Sequence, residues 1–167
     1  MGCIGTLFRI PLGVMLGYIV MAVALFAGLA AVFAFAGAEF FFEGDGWVGS
    51  EKFLLTTLGV TAVAAFLGGF TAVRIGGTMS ILLLCLLVGG LGSLSAMRMI
   101  GKAEEFRLKE RPEARPDNLG PLQAVWWSEN TSMWEWGNVA MSLAGLAVGA
   151  AVGKGAPREP KRSSSKE

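Results

Sequence analysis

Apolar residues run along this chain in four long stretches that are separated by polar segments. The stretches cover about residues 11–37, 53–73, 78–96 and 137–153. A helix of about 17–25 apolar residues can cross the hydrocarbon core of a bilayer, and it satisfies its backbone hydrogen bonds within itself. The pattern therefore predicts an all-α integral membrane protein. We expect residues 1–153 to form an antiparallel four-helix transmembrane bundle.

The polar segments differ in charge, and this difference predicts the orientation. The first loop is acidic, whereas Arg9, Arg74 and the basic tail 154–167 all fall on the other predicted side. Lysine and arginine in short flanks favour the cytoplasm, so both termini are expected inside. The outer loop 97–136 carries six Lys and Arg of its own, which counts against this orientation. The tail is expected to be disordered, and its cations suit either anionic lipid or simple cytoplasmic retention.

Composition narrows the possible functions. Hydrophobic residues make up 53% of the 167 positions, which is high for a soluble domain and fits membrane spans. The net charge of +1 gives no basic surface for nucleic acid. Histidine is absent, which removes a common haem ligand, the usual general base and most zinc sites. We therefore expect no cofactor, no metal site and no catalytic residues.

Ionisable residues are missing from the middle of every predicted span. Coupled carriers and pumps commonly place such residues at membrane depth, so this class is disfavoured. A passive pore remains possible, because backbone and hydroxyl groups can line one. Ser93 and Ser95 have no adjacent histidine or lysine that could activate a nucleophile, and small-residue packing explains them better.

Glycines at helical spacing predict close contacts between helices. Gly145, Gly149 and Gly153 are four residues apart, as are Gly13 and Gly17, so each set lies on one helix face. Gly89 belongs to a small-residue run at the end of the third stretch. The spacing does not say whether the partner helix lies in the same chain.

All five tryptophans fall on the predicted outer side of the membrane; they are Trp47, Trp126, Trp127, Trp134 and Trp136. An aromatic belt at headgroup depth explains Trp134 and Trp136, which abut the fourth stretch. Trp126 and Trp127 lie about ten residues before it. Because tryptophan is enriched at interaction hot spots, we expect these outer-loop tryptophans to form a docking surface, with lipid anchoring as the alternative.

The stretch Gly68-Gly69-Phe70-Thr71-Ala72-Val73-Arg74-Ile75-Gly76-Gly77 predicts a tight inner turn around Arg74, Gly76 and Gly77. It resembles the turn after span two in small, uncharacterised four-span bacterial membrane proteins. The resemblance covers about ten residues, and those families have no established activity to transfer. It implies a four-span fold in a bacterial cytoplasmic membrane.

Together these features favour a non-catalytic structural or accessory subunit of a larger membrane complex. Its expected partners are the lipid bilayer and other membrane protein subunits. The alternative is a passive small-solute transporter or channel component, and a membrane enzyme is disfavoured.

Overall fold

The computed structural model describes residues 3–99, 109, 111–116, 119–129 and 132–155, and these residues form helices joined by short connections. The helices are α1 (Cys3–Ala36), α2 (Ala38–Phe41), α3 (Glu51–Met99), α4 (Pro121–Trp127) and α5 (Ser132–Gly155). The described residues contain no strand, only isolated bridges between Phe42 and Gly49 and between Val48 and Glu129. The predicted all-α class is confirmed for this part of the chain.

Helix α1 begins at Cys3, eight residues before the predicted start of the first stretch, so Pro11 lies inside the helix. In this position the proline removes one backbone hydrogen bond. In the first turn of a helix a proline has no such effect, because the N–H groups there have no partner within the helix. The Ser80 hydroxyl donates to the neighbouring Ile10 carbonyl at 3.0 Å, so a side chain of another helix binds the backbone here.

Helix α3 is interrupted at one residue, Gly77, which has φ 76° and ψ −163°. Left-handed backbone of this kind disfavours every residue with a Cβ, whereas glycine adopts it readily. The predicted turn included Arg74, Gly76 and Gly77. In the structure it is limited to Gly77, because Arg74 and Gly76 remain helical. The break divides α3 into a first half, residues 51–76, and a second half, residues 78–99.

The two halves of α3 fold back on each other, with α1 and α5 packed against them. Buried Ala65, Ala72, Leu84 and Val88 belong to one apolar cluster that also contains Leu146 of α5. The two halves run in opposite directions, because Gly13 of α1 lies near both Gly76 and Ser80, whereas Gly17 lies near both Ala72 and Leu84. The packing of α1 is antiparallel to the first half of α3, since Gly13 lies against Gly76 whereas Gly28 lies against Val60.

Helix α5 completes the packing by lying against both halves of α3. Gly145 approaches Ala65, and Gly153 approaches Val73, so α5 runs parallel to the first half. Gly92 of the second half lies against Val139. The break at Gly77 lies at the same end as residue 9 of α1 and the C-terminus of α5, and we call this end the hinge end.

Three helices are long and apolar enough to cross a membrane by length and composition: Phe8–Ala36, Glu51–Met97 and Met133–Gly155. The second contains 47 residues, about 70 Å of straight helix at 1.5 Å per residue. That length is about twice the roughly 30 Å hydrocarbon core, and the segment is folded at Gly77. The tail 154–167 was predicted to be disordered, but residues 154 and 155 belong to α5; the rest of the tail lies outside the described residues.

Candidate functional site

An aromatic cluster closes the end of the helix packing opposite Gly77. Its buried members are Phe41, Phe42, Trp47, Phe53, Leu119 and Ala124. They come from α2, from the connection 42–50, from the start of α3 and from residues 119–127. We call this cluster the aromatic cap. It packs onto Leu29, Val32 and Phe33 of α1, which ties the cap to the helices below it.

Ring contacts order the interior of the aromatic cap. Phe41 stacks on Phe53 with ring centres 4.1 Å apart, and the Phe33 ring meets Phe41 edge-on at 5.0 Å. The Trp47 ring meets Phe42 and Trp127 edge-on, each at 5.5 Å. Such pairs stabilise by about 0.5–1.5 kcal/mol beyond the burial of their area. Trp47 is therefore a core residue of the cap, since only 6% of its surface is exposed.

Backbone hydrogen bonds join the two distant segments that build the cap. The Glu129 N–H donates to the Trp47 carbonyl at 2.7 Å, and the Gly49 N–H donates to the Glu129 carbonyl at 3.2 Å. The Ser50 hydroxyl donates to the Phe40 carbonyl and accepts from the Phe53 N–H at 3.1 Å. Ser50 thus caps the N-terminus of α3 while holding the end of α2.

Two arginines cover the outside of the aromatic cap. The Arg111 guanidinium lies 5.6 Å from the Trp47 ring centre and forms an ion pair with Glu129 at 2.5 Å. The Arg115 guanidinium lies 5.2 Å from the Phe42 ring centre and donates to the Gly44 carbonyl at 3.1 Å. Cation–π contacts of this kind contribute about 0.5–2 kcal/mol. Both arginines therefore hold the 111–129 segment onto the first loop.

The tryptophans of the outer loop occupy different environments. Trp127 packs against the aromatic cap, whereas 58% of Trp126 and 41% of Trp136 is exposed; Trp134 is half-buried. Trp126 and Trp127 are thus neighbours in sequence with opposite roles in packing. The docking hypothesis for these residues stays a prediction, and Trp126 is the member of the pair that could reach a partner.

The predicted packing glycines lie at close approaches within the chain, with one exception. A Cβ added to Gly149 would collide with the Phe66 backbone, and one added to Gly17 would lie 2.9 Å from the Gly68 carbonyl oxygen. Gly13, Gly145 and Gly153 are similarly enclosed. Gly89 has only ordinary contact with Leu143, at 3.5 Å.

Polar side chains inside the helix packing bond to groups of the same chain. Ser80 is fully buried and binds the Ile10 carbonyl, as described above. The Thr61 hydroxyl lies 3.2 Å from the Asn138 side-chain oxygen and donates to it. Among the described residues no group of three His, Cys, Asp or Glu side chains could hold a metal ion. Ser80, Thr61 and Asn138 thus hold their polar groups in contacts within the chain.

The hinge end carries basic side chains from three different helices. Arg9 and Lys154 are exposed, Arg74 is half-buried, and the Arg74 guanidinium lies 5.8 Å from the Phe70 ring centre. A shallow apolar groove of about 370 Å³ lies between α5 and the first half of α3; its walls include Val63, Phe66, Met141 and Val148.

Comparison of the chain with protein-family models, curated proteins and solved structures finds no match in any of the three. The resemblance of residues 68–77 to small four-span bacterial membrane proteins therefore stays a prediction. The aromatic cap is the main feature that the sequence analysis missed. The dense run Phe40-Phe41-Phe42 near Trp47 is the signal in the sequence that could have indicated it.

Proposed function

We propose that this protein is an integral membrane protein with four spans that serves as a non-catalytic accessory subunit of a larger membrane complex. The spans would be α1, the two halves of α3, and α5, with the hinge end and both termini in the cytoplasm. The weak resemblance at the turn favours a bacterial cytoplasmic membrane. Folding of α3 at Gly77 supports four spans, because each half then has a length that suits one crossing.

One observation carries the functional part of the proposal. Buried Thr61 and Ser80 and the close glycine contacts lie within the described helix packing, while the outer face of α5 is apolar and carries four alanines among larger residues such as Val148 and Val152. Its exposed alanines are Ala140, Ala144, Ala147 and Ala151. In lipid, helices associate through close van der Waals packing, which small residues permit. The face therefore suits a transmembrane helix of another subunit.

The close contact between α3 and α5 favours an accessory subunit over the alternative of a passive small-solute transporter or channel. Leu146 is fully buried, and its backbone lies directly against Gly69 of α3. At this point the two backbones are in direct contact, so no space for a solute lies between them.

The test is mild-detergent purification of the tagged protein from its native membrane, followed by identification of proteins recovered at stoichiometric amounts. Ala144→Ile is expected to remove the partner, because a branched side chain would hold the partner helix away. Ala30→Ile, at an exposed alanine of α1, is the matched control and should retain the partner.

A second arm examines transport. Liposomes that contain the purified protein should release small solutes no faster than empty liposomes. Recovery of the protein with lipid alone, combined with solute release above the empty control, would replace the accessory subunit with the transporter.

A further inference from the structure

We propose that residues 111–116 and 119–129 form a latch that opens and closes over the first loop while the helices stay packed. The proposal concerns a motion at the aromatic cap, and it does not depend on the proposed membrane complex. In the closed state, which the structure shows, arginines of the latch cover the rings of Phe42 and Trp47. In the open state these two rings are uncovered.

The latch is attached to the first loop chiefly at Trp47. The Arg111 guanidinium lies over the Trp47 ring, and the Trp127 ring meets that ring edge-on. The Trp47 carbonyl accepts a hydrogen bond from the Glu129 N–H at 2.7 Å, and the Glu129 carboxylate pairs with Arg111. Both ends of the latch are therefore held at one loop residue, so loss of the contacts at Trp47 releases the two ends together.

Trp47 also carries the feature that opposes the closed state. Its indole N–H is buried and has no hydrogen-bond partner among the described residues. A buried donor without an acceptor has lost its hydrogen bonds to water and has gained none in return. Opening the latch exposes this N–H to water and removes the penalty. The same residue thus holds the latch and favours its release.

The apolar core of the cap is separate from that of the helices. The buried cluster of the cap includes Leu119 and Ala124 of the latch, and it shares no residue with the cluster that contains Leu84 and Leu146. Contiguous units of a protein can open locally at a lower free energy than global unfolding requires. Opening of the latch therefore breaks contacts of the cap and leaves the helix cluster intact.

The experiment measures hydrogen exchange of the full purified chain in mild detergent by mass spectrometry. Peptides from 119–129 and 42–50 report the latch and the loop beneath it, and peptides from 64–73 and 142–150 report the helices. The latch and loop peptides are expected to lose protection together, because the Glu129 and Gly49 N–H groups are both bonded between latch and loop. Both are expected to exchange at least about tenfold faster than the helix peptides.

A matched pair of variants tests the attachment at Trp47. Arg111→Gln removes the guanidinium from the Trp47 ring and breaks the ion pair with Glu129. It is expected to raise exchange in the latch and loop peptides about fivefold and to leave the helix peptides unchanged. Lys109→Gln is the control, because Lys109 is exposed and forms no ion pair or ring contact with the described residues. This variant should exchange like the wild type.

Three outcomes would overturn the latch. Exchange of peptide 119–129 as slow as that of the helix peptides would mean that the cap stays closed. An equal rise in latch and helix peptides of the Arg111 variant would mean that cap and helices open as one unit. Equal exchange of the Arg111 and Lys109 variants would mean that the contact with Trp47 does not hold the latch.

Discussion

Gly149 provides the sharpest test of the helix packing. An ideal Cβ at this position would meet the carbonyl group of Phe66 and lie 3.0 Å from its Cα. These are backbone atoms, so the clash cannot be relieved by rotation of a side chain. Gly149→Ala should therefore push α5 away from the first half of α3.

A matched control isolates the energy of this contact. Gly59 lies in α3, is exposed, and has no atom within 4 Å of an added Cβ. Alanine stabilises a helix interior by about 0.5–1 kcal/mol relative to glycine at either position. The difference between Gly149→Ala and Gly59→Ala thus reports the overpacking cost, typically about 1–3 kcal/mol.

The assay is thermal unfolding in mild detergent, followed by circular dichroism. For a chain of this size a change of 1 kcal/mol shifts the Tm by about 2–4 °C. Gly149→Ala should therefore melt about 2–12 °C below Gly59→Ala. Equal melting temperatures for the two variants would refute the close contact between α5 and α3.

Two further predictions concern the hinge and the cap. Gly77→Ala should lower the free energy of unfolding by about 1–2 kcal/mol, because alanine disfavours the left-handed backbone. No atom lies within 4 Å of the added Cβ, so no clash contributes. An unchanged Tm would count against the turn. Trp127→Ala should lower the Tm and expose the 111–129 segment to protease, because Trp127 packs on Trp47, whereas Trp126→Ala should leave both unchanged. Equal effects of the two tryptophan variants would contradict the cap as described.

The all-α class was predictable because helices of membrane length need only a long apolar run. The turn between the second and third stretches was also predictable from its glycines and its arginine. Its extent was not, since Gly76 remains helical where the Arg9 backbone of α1 packs against it, and local composition does not reveal that contact. The start of α1 was not predictable from the apolar stretch, because the helix continues to the N-terminal side of Pro11, a residue that is common in the first turn.

The packing partners of the glycines could not be read from their spacing. Spacing of four shows that Gly145, Gly149 and Gly153 share a face, but not which helix they meet. The structure places the first half of α3 against all three. Gly69 of α3, which the sequence analysis did not single out for packing, lies against the Leu146 backbone of α5. Glycines of both helices thus permit the close approach of α3 and α5.

The aromatic cap was missed for a physical reason. Phenylalanine and tryptophan suit both a membrane interface and a buried core, so their composition does not separate the two. The deciding contacts, such as Trp47 with Trp127, join residues far apart in the chain. Arg111 and Arg115 could not be assigned to the cap from the sequence. They contact the aromatic rings of Trp47 and Phe42 in the first loop, and such contacts follow no helical or strand periodicity.

The most direct test of the four-span arrangement is the sidedness of the two loops that meet at the cap. Single cysteines are introduced at Asp45, Glu113 and Gly155 in a chain whose Cys3 and Cys85 are serine. Intact cells and inverted membrane vesicles are then labelled with a membrane-impermeant thiol reagent. With α3 folded at Gly77 into two spans, positions 45 and 113 should label from one side, outside the cell, and position 155 from the other. If α3 crossed only once, positions 45 and 113 would label from opposite sides, which would contradict the four-span arrangement.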